Sequence, residues 1–584
     1  MRKHSVRWLL PLLLLLPVLS WAQDDRPPVT RAYFINNAYV VQEPGKVIDL
    51  GAVVIRNGLI EAVGKGLKAP LDAKTLEGDS LYVYAGFIEG LSHTGVPKPK
   101  QPERGSRPQV KDPGNPPNDV AGIQPDRSVT DMLKADDKSV ADMRKLGFTT
   151  AHVVPHGGML PGTGAIVLLG GENERAMVLR ANSSLYSAFE GGRRVYPATT
   201  MAIMSKYREL YRQAEQVKAQ VSKYSSNARG MARPEYDEVL ESFFPVIDKK
   251  MPVFFEVDDI KEVHRAMGLA KELDFNLVLG EVSRGQLVMD KLKSTNTPVF
   301  LTMDLPKEKK EDKKGKGDEG KDKDAKKKPG AEMADKAEKK DGDKKMSPEM
   351  KMMADKAEAR RDASRKELEE QAAMFAKAGI PFGFSTLNVK ASEVRTHLGR
   401  MIKAGLTEDQ ALAALTTTPA KMLGIEQMAG TVEKGKIANL VVTDKPYFEE
   451  GSNVRYVIVD GTPHEYEVKK KKKKGPSDPN AVVKAVGKWA ITILVPGQTT
   501  ESTVTITGEA GSYEGEITSD DGESRTLSDV TLDGSNRTFG SQFEAGGQRI
   551  SLSFDLVIDG DNIEGSVKAG NFGSFDVEGS RTPE

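Results

Sequence analysis

The chain has 584 residues, more than one compact core usually holds, so two or three domains are expected. Its 84 basic and 84 acidic side chains cancel to a formal net charge of zero, and nothing in this balance indicates nucleic-acid binding, which requires a concentrated basic face. The absence of cysteine excludes disulfides, thiolate metal sites and lipid attachment at an N-terminal cysteine.

The N-terminal segment predicts export. Basic residues precede an apolar run at 8–19, and Ser20-Trp21-Ala22 then offers small residues at the two positions that a signal peptidase inspects. This order predicts a cleavable signal peptide over 1–22 and a periplasmic or extracellular protein. A membrane anchor is disfavoured, because the run is shorter than the roughly 20 apolar residues that span a bilayer. No later stretch of the sequence is apolar enough to span a membrane either.

Short strands are predicted next, at 32–41, 52–56 and 59–63. Asn57-Gly58 is expected to form a tight turn between the last two, because both residues tolerate positive φ. The mature chain should therefore open with a strand followed by a β hairpin.

From about residue 81 to 424, short apolar strands alternate with helices. The strands are predicted at 149–154, 165–169, 252–257, 276–279, 298–303 and 380–385. Apolar residues from Ile260 to Ala270 share one face of a helix, and Thr407 caps a later helix in a capping box with Gln410. Buried strands that alternate with helices predict a parallel sheet or barrel.

Two low-complexity runs interrupt this pattern. Residues 307–345 are dense in Lys, Asp, Glu and Gly and are expected to form a disordered surface insertion, because they cannot bury enough apolar surface. Their mixed charges favour a solvated run over a nucleic-acid-binding tail. Order should resume at Ser347, a good helix cap, with Pro348 in the first turn. The lysine run within 468–479 is predicted to be a linker.

Residues 480–584 have a third pattern, in which apolar and polar residues alternate. Strands are predicted at 488–495, 502–507, 513–517, 526–532, 550–558 and 562–567. This pattern indicates an antiparallel β domain, either a sandwich or a small barrel. The acidic turns Asp520-Asp521 and Asp559-Gly560-Asp561 are interpreted as turn chemistry in preference to weak calcium sites.

Several of these stretches resemble the amidohydrolase superfamily of metal-dependent hydrolases, and its exported, imidazolonepropionase-like branch in particular. They occur in the family's order between about residues 31 and 466: GAVVIRNGLIEAVG at 51–64, AGFIEGLSH at 85–93, LGFTTAHVV at 146–154, the segment 404–425, GTVEKGKIANLVVTD at 430–444 and VIVDG at 457–461. Each motif alone is weak, but their shared order and spacing make the resemblance strong.

The resemblance implies a fold. A distorted (β/α)8 TIM-like barrel is expected at 85–425, with a composite β-sandwich domain built from 31–84 and 426–467. The C-terminal all-β domain at 480–584 would follow the linker. The resemblance also implies hydrolysis of carbon–nitrogen bonds other than peptide bonds, by one or two divalent ions that turn a bound water into hydroxide. The metal ligands are expected at the carboxyl ends of the barrel strands.

The expected ligands are largely replaced in this sequence. The family's His-x-His pair aligns with Leu91-Ser92-His93, so His93 is the one matched ligand. The fifth strand offers Glu256 and Asp258 where a histidine is expected, and the sixth strand offers Glu281. Leu387 stands where the aspartate of the eighth strand is expected.

The residues predicted to bind at the barrel mouth are His93, His156, Glu256, Asp258 and Glu281, and no catalytic residue is assigned. His152 is also expected to reach the mouth, whereas His264 and His397 are interpreted as structural histidines of helices, and His464 belongs to the returning β domain. Apolar residues at two ligand positions predict that no tightly bound zinc or binuclear centre forms, because exchange of one metal for another would retain donor atoms. A divalent metal is expected only if the family chemistry survives.

Three functional hypotheses remain. The first is an exported hydrolase of carbon–nitrogen, non-peptide bonds with an atypical centre. The second is a non-catalytic periplasmic pseudoenzyme that binds a small molecule or a protein partner through the barrel mouth or the C-terminal β domain. The third is a structural envelope protein in which the C-terminal domain attaches to glycans or protein, and it ranks last because that domain offers little beyond Trp489 as an aromatic platform.

Overall fold

A computed structural model describes residues 31–76, 80–99, 110–171, 173–307, 348–466 and 486–582, the last range without short segments at 496–497, 510–511, 520–521, 534–535, 546–547, 560 and 570–572. The predicted signal peptide, the linker, Asp520-Asp521, Ser347 and the charged insertion beyond its first residue lie outside the described residues. The chain divides into two compact units, Met1–Val468 and Lys469–Glu584. No helix within the described ranges is both long and apolar enough to cross a membrane.

The first unit opens with strands that form one side of a mixed sheet. They are β1 (Ala32–Glu43), β2 (Lys46–Arg56), β3 (Leu59–Lys65), β4 (Lys74–Leu76) and β5 (Tyr82–Ala85). Asn57 and Gly58 join β2 to β3 with φ values of 50° and 83°, as a hairpin turn with two left-handed residues requires. The three strands and the turn predicted for this region are therefore confirmed.

The next eight strands close into a barrel, as the fold prediction required. They are β6 (Phe87–Ser92), β7 (Phe148–Val153), β8 (Gly162–Leu168), β9 (Val178–Ala188), β10 (Val253–Glu256), β11 (Leu277–Val282), β12 (Val299–Thr302) and β13 (Phe382–Ser385). The barrel closes where β13 pairs in parallel with β6 at Ser385 and Leu91. Most of these strands are buried along their whole length, because they are covered on both faces.

The third barrel strand departs from a (β/α)8 pattern. β8 runs antiparallel to both β7 and β9, whereas the other neighbouring pairs around the barrel are parallel. A loop without a helix, at 154–161, joins β7 to β8, and one short helix, Glu174–Met177, precedes β9. The predicted run at 165–169 is thus a barrel strand, but it belongs to a meander instead of a strand–helix repeat.

The described part of the first unit contains twelve α-helices. They are α1 (Asn118–Ala121), α2 (Lys138–Lys145), α3 (Glu174–Met177), α4 (Thr200–Ser226), α5 (Glu238–Glu241), α6 (Phe244–Ile247), α7 (Ile260–Leu273), α8 (Met289–Thr295), α9 (Pro348–Lys377), α10 (Ala391–Lys403), α11 (Glu408–Leu415) and α12 (Thr417–Met422). The side chain of Asp259 caps α7, which buries Val263 and Met267 as the pattern predicts. Thr407 and Gln410 form the predicted capping box of α11.

After the barrel the chain returns to the first sheet. The returning strands are β14 (Leu440–Thr443), β15 (Val454–Val459) and β16 (Thr462–Glu465). β14 pairs antiparallel with β5, so both flanks of the barrel contribute to one eight-stranded sheet with the order β16-β15-β14-β5-β1-β2-β3, and β4 beside β1. This joining confirms the composite origin of the flanking β domain.

The second unit is antiparallel throughout. Its strands are β17 (Gly487–Val495), β18 (Gln498–Glu509), β19 (Ser512–Ser519), β20 (Ser524–Thr526), β21 (Ser528–Asp533), β22 (Asn536–Ala545), β23 (Gln548–Asp559), β24 (Asn562–Ala569) and β25 (Gly573–Arg581). β20 and β21 form the two ends of the sheet, yet only the buried Leu527 separates them along the chain. The sheet must therefore curl until its edges meet, which favours the barrel over the sandwich. The single strand predicted at 526–532 is in fact two strands.

Candidate functional site

Apolar side chains fill the interior of the barrel. Leu91 and Phe300 are fully buried and Phe254 is almost so; all three belong to one cluster with Ile88, Val154 and Tyr186. Gly280 makes room for Leu91, because a methyl group on Gly280 would lie 2.2 Å from the Leu91 Cδ2 atom. The ring of Phe300 similarly covers Gly90, where an added methyl group would lie 2.1 Å from Cδ1. The first expected ligand position is therefore a packing position.

Glu281 lies next to this apolar cluster at the carboxyl end of β11. It is 4% exposed, and burial raises the pKa of its carboxyl group. Its oxygens lie 2.7 Å from Thr302 Oγ1, 2.5 Å from Ser385 Oγ and 3.1 Å from Asn388 Nδ2. Its backbone φ of 58° is left-handed, a conformation that costs free energy in a residue other than glycine. The polar partners thus hold Glu281 in a strained position.

The hydroxyl of Ser385 shows how Glu281 is accommodated. Ser385 Oγ has one proton and lies near two acceptors, the Glu281 carboxyl and the Leu91 carbonyl oxygen 3.2 Å away. The hydroxyl therefore shares its proton between the Glu281 carboxyl, to which it donates, and the Leu91 carbonyl oxygen. Ser385 thus links the eighth barrel strand to the first, through Leu91, and to the sixth, through Glu281.

A second buried acid, Glu89, was missed from the sequence. It lies in β6, is 1% exposed, and accepts from Thr94 Oγ1 at 2.8 Å and from Thr386 Oγ1. Burial raises the pKa of Glu89 to about 7. Two adjacent residues donate to the two acids: Thr386 donates to Glu89, and Ser385 donates to Glu281. The sequence signal that could have identified Glu89 is an acidic residue within an otherwise apolar strand.

Two histidines stack at the mouth of the barrel. The ring centroids of His93 and His156 lie 3.7 Å apart. His93 Nδ1 lies 2.8 Å from the Val154 carbonyl oxygen, and His156 Nε2 lies 3.2 Å from that of Val96. Burial and the neighbouring His156 lower the pKa of His93 to about 3, and burial lowers the pKa of His156 as well. Both rings are therefore neutral at pH 7, and the structure brings together two of the predicted residues.

Glu256 pairs with Tyr186, which the sequence did not indicate. The Tyr186 hydroxyl donates to Glu256 Oε2 at 2.6 Å, and its ring centroid lies 6.4 Å from that of His93. Burial raises the pKa of Glu256 to about 7, and the charges of Glu281, Asp258 and nearby Glu190 act in the same direction. Burial raises the pKa of the Tyr186 hydroxyl well above its ordinary value, so this hydroxyl keeps its proton.

The remaining predicted residues are placed differently. Asp258 follows β10 on the rim, where its backbone N–H donates to Glu262 at 2.8 Å. His152 lies inside the barrel wall and not at the mouth, because its ring nitrogens bond to the Gly90 carbonyl and to Ser184 Oγ. The expectation that His152 reaches the mouth is therefore wrong. A histidine in the middle of a buried strand is better read as part of the core.

The other histidines have structural surroundings. His397 is buried in the middle of α10, and its Nδ1 lies 2.8 Å from the Met303 carbonyl oxygen. His264 is exposed on α7, with Nδ1 3.0 Å from Lys291 Nζ. His464 lies in β16, and its Nε2 is buried without a hydrogen bond. These placements agree with the interpretation of His264 and His397 as structural and of His464 as part of the β domain.

The residues present do not fit the metal centre that the resemblance implies. Within the described ranges, no three His, Asp or Glu side chains converge as metal ligands. Leu91 is enclosed by the apolar cluster, and Leu387 packs at its edge. His93 uses one nitrogen for a carbonyl group, and Glu281 is engaged by three polar side chains. The expectation that no zinc or binuclear centre binds stays a prediction.

The chain is similar to proteins of one family. A model of the amidohydrolase family matches residues 332–463. The crystal structure of an amidohydrolase from Thermotoga maritima MSB8 aligns with a TM-score of 0.57 at 20% identity, covering 74% of this chain and 100% of that one. A prolidase complexed with N-methylphosphonate-L-proline aligns with a TM-score of 0.42 at 17% identity, covering 75% and 100%. No curated protein sequence gives a significant match. The matched segment, the closed barrel and the composite sheet agree with the motifs of the sequence, and the chain has the fold of the amidohydrolase superfamily.

Proposed function

We propose that this protein is an exported, non-catalytic member of its family that binds a small molecule at the barrel mouth. The observation that carries the proposal is the position of Leu91, whose side chain occupies a ligand position and packs against Gly280. A hydrocarbon side chain has no lone pair to offer a metal ion. Fold similarity does not transfer an activity when the site has changed. Export rests on the N-terminal sequence pattern alone.

Binding is supported by the polar groups that remain at the mouth. His93, His156, Tyr186 and Glu256 surround the carboxyl ends of β6, β7, β9 and β10, where barrels of this type place their ligands. These side chains are held by carbonyl groups or by each other. The mouth therefore retains an ordered polar surface above an apolar floor, which is the usual composition of a small-molecule site.

The second candidate function is metal-independent hydrolysis of a carbon–nitrogen bond. The observation in its favour is the Tyr186–Glu256 pair, because a carboxyl group with a pKa of about 7 can give or take a proton near neutral pH. A hydrolase of this kind would still need a means of activating water or the substrate carbonyl group. The described residues show none beyond this pair, so the binding function is preferred.

One experiment separates the two candidates. Tag-free mature protein is analysed for metal content, assayed against a broad panel of amides and lactams, and screened by thermal shift against small molecules. We expect no stoichiometric metal, no turnover, and a rise in melting temperature with at least one ligand class. Turnover that Glu256→Gln abolishes would establish the second candidate instead. Turnover that needs an added divalent metal would overturn both.

A further inference from the structure

From the chemistry of the barrel mouth we infer that its ligand is an organic cation with several N–H donors, a protonated amine or a guanidinium. This inference rests on the proposed binding function and names the ligand class. It depends on two separate features, which are the hydrogen-bonding state of the histidine pair and the charge of the opposite rim.

The histidine pair offers acceptors to a ligand. A carbonyl oxygen only accepts, so His93 must donate from Nδ1 to Val154, and His156 must donate from Nε2 to Val96. Neutral imidazole has one donor and one acceptor nitrogen. His93 Nε2 and His156 Nδ1 therefore carry lone pairs. Neither nitrogen is one of the fully buried polar atoms that lack a hydrogen-bond partner.

Glu256 offers another acceptor. Its Oε2 accepts from Tyr186, and its other carboxyl oxygen receives no hydrogen bond from a described side chain. Nor does any lysine or arginine of the described ranges form an ion pair with Glu256. Three groups can thus accept a hydrogen bond from a ligand. They are His93 Nε2, His156 Nδ1 and, when Glu256 is ionised, its second carboxyl oxygen.

The rim opposite the histidines is acidic. We call Glu190, Glu256 and Asp258 the acidic rim. These three residues lie at the carboxyl ends of two parallel neighbours, β9 and β10, and Glu281 lies on the next strand, β11. Their mutual repulsion is one reason why the Glu256 carboxyl is hard to ionise. A positive ligand would relieve this repulsion, whereas an anion would increase it.

The spacing of the acceptors favours an organic cation over a metal ion. A bound metal needs donors that converge on one point within about 2.0–2.6 Å, and the described residues show no such convergence. An ammonium or guanidinium group points several N–H bonds in different directions and so suits dispersed acceptors.

The test uses three probes with the same chain length and different charge. Putrescine, butanediol and succinate are titrated into the mature full-length protein by calorimetry at pH 8. We expect putrescine to bind and the other two not to bind. Glu256→Gln should weaken putrescine binding about tenfold or more, whereas Glu426→Gln, on the exposed turn after α12, should leave it unchanged. Added salt should weaken binding of the cation.

Each other outcome overturns the inference. Equal binding of butanediol would show a ligand site without a preference for charge, and the proposed binding function would stand. Preferred binding of succinate would reverse the inferred charge. If no probe binds, the cation class is overturned, and the binding function depends on the wider screen. If Glu256→Gln melts like the wild type and still binds putrescine equally well, the cation binds elsewhere.

Discussion

Leu91 and Gly280 face each other so closely that a methyl group on Gly280 would lie 2.2 Å from the Leu91 Cδ2 atom. The two residues come from β6 and β11, which β12 and β13 separate in the barrel. In a metal-dependent barrel these strands would present ligands to a shared ion. Here Leu91 supplies an apolar side chain, and Gly280 leaves the space that this side chain fills, so packing stabilises the interior.

The packing of Leu91 predicts a stability loss that a double-mutant cycle can measure. Leu91→Ala should cost about 2–5 kcal/mol of unfolding free energy, because it leaves a cavity. Gly280→Ala should cost about 1–3 kcal/mol in the wild type through overpacking, and much less in the Leu91→Ala background. The measurement is urea denaturation of the three variants. Leu287→Ala, whose side chain is 65% exposed, serves as the control and should change stability by less than about 0.5 kcal/mol. Strictly additive losses would show that the two residues do not pack together.

No ligand set converges among the residues that the structure describes, and we therefore predict that the purified protein carries no stoichiometric metal. His93 is then an ordinary hydrogen-bonding residue, so His93→Ala should leave the trace metal content unchanged. Elemental analysis by mass spectrometry after dialysis without chelator provides the measurement. One equivalent of zinc in the wild type, lost in His93→Ala, would contradict the prediction.

Much of the framework could be predicted because buried strands are local apolar runs. The strands β10, β12 and β13 begin and end within two residues of the predicted limits. The unpredicted strands β22 and β25 are rich in Gly and polar residues. They form because both edges of each strand pair with neighbours, and such non-local pairing leaves little trace in a local pattern. The reversed direction of β8 is likewise invisible in an apolar run.

Part of the site could be predicted because an apolar run also shows where its strand ends. His93 and Glu256 follow apolar strands, so their place at the carboxyl ends could be read from the sequence. Glu89 could also have been found, because alternation in a strand puts residues 89, 91 and 93 on one face. Tyr186 could not, since β9 itself was not predicted and its partner Glu256 is 70 residues away.

The raised pKa of Glu89 predicts how stability depends on pH. The folded protein holds this proton up to a pKa of about 7, whereas the ordinary value is 4.5. Between these values the folded state binds more protons than the unfolded state, so the stabilisation present below pH 4.5 is lost as pH rises to 7. The loss is on the order of 3 kcal/mol for this group.

The neutral histidines act in the opposite direction at low pH, so the Glu89 contribution is isolated by comparison with Glu89→Gln. The amide has nearly the same shape but does not titrate. The stability difference between wild type and Glu89→Gln, measured by urea denaturation from pH 5 to pH 8, should shrink or reverse as pH rises. Glu426→Gln provides a surface control, for which the difference should stay flat. A flat difference for Glu89→Gln would show that Glu89 is ionised throughout.

The C-terminal unit is predicted to fold alone. In the described part of this unit, nine strands between Gly487 and Arg581 pair with one another in a single sheet, and their apolar residues form a core around Trp489 and Phe554. The guanidinium group of Arg581, at the end of β25, lies 4.5 Å from the centre of the Trp489 ring, so the last strand is held to the first. Residues 480–584 should therefore unfold cooperatively as an isolated fragment. Arg581→Ala should lower the fragment's melting temperature, whereas Lys568→Ala, exposed on β24, should change it little. Limited proteolysis of the whole protein should first cut within 469–479 and leave this fragment intact. Early cleavage elsewhere, with rapid loss of the fragment, would show that its stability depends on the rest of the chain.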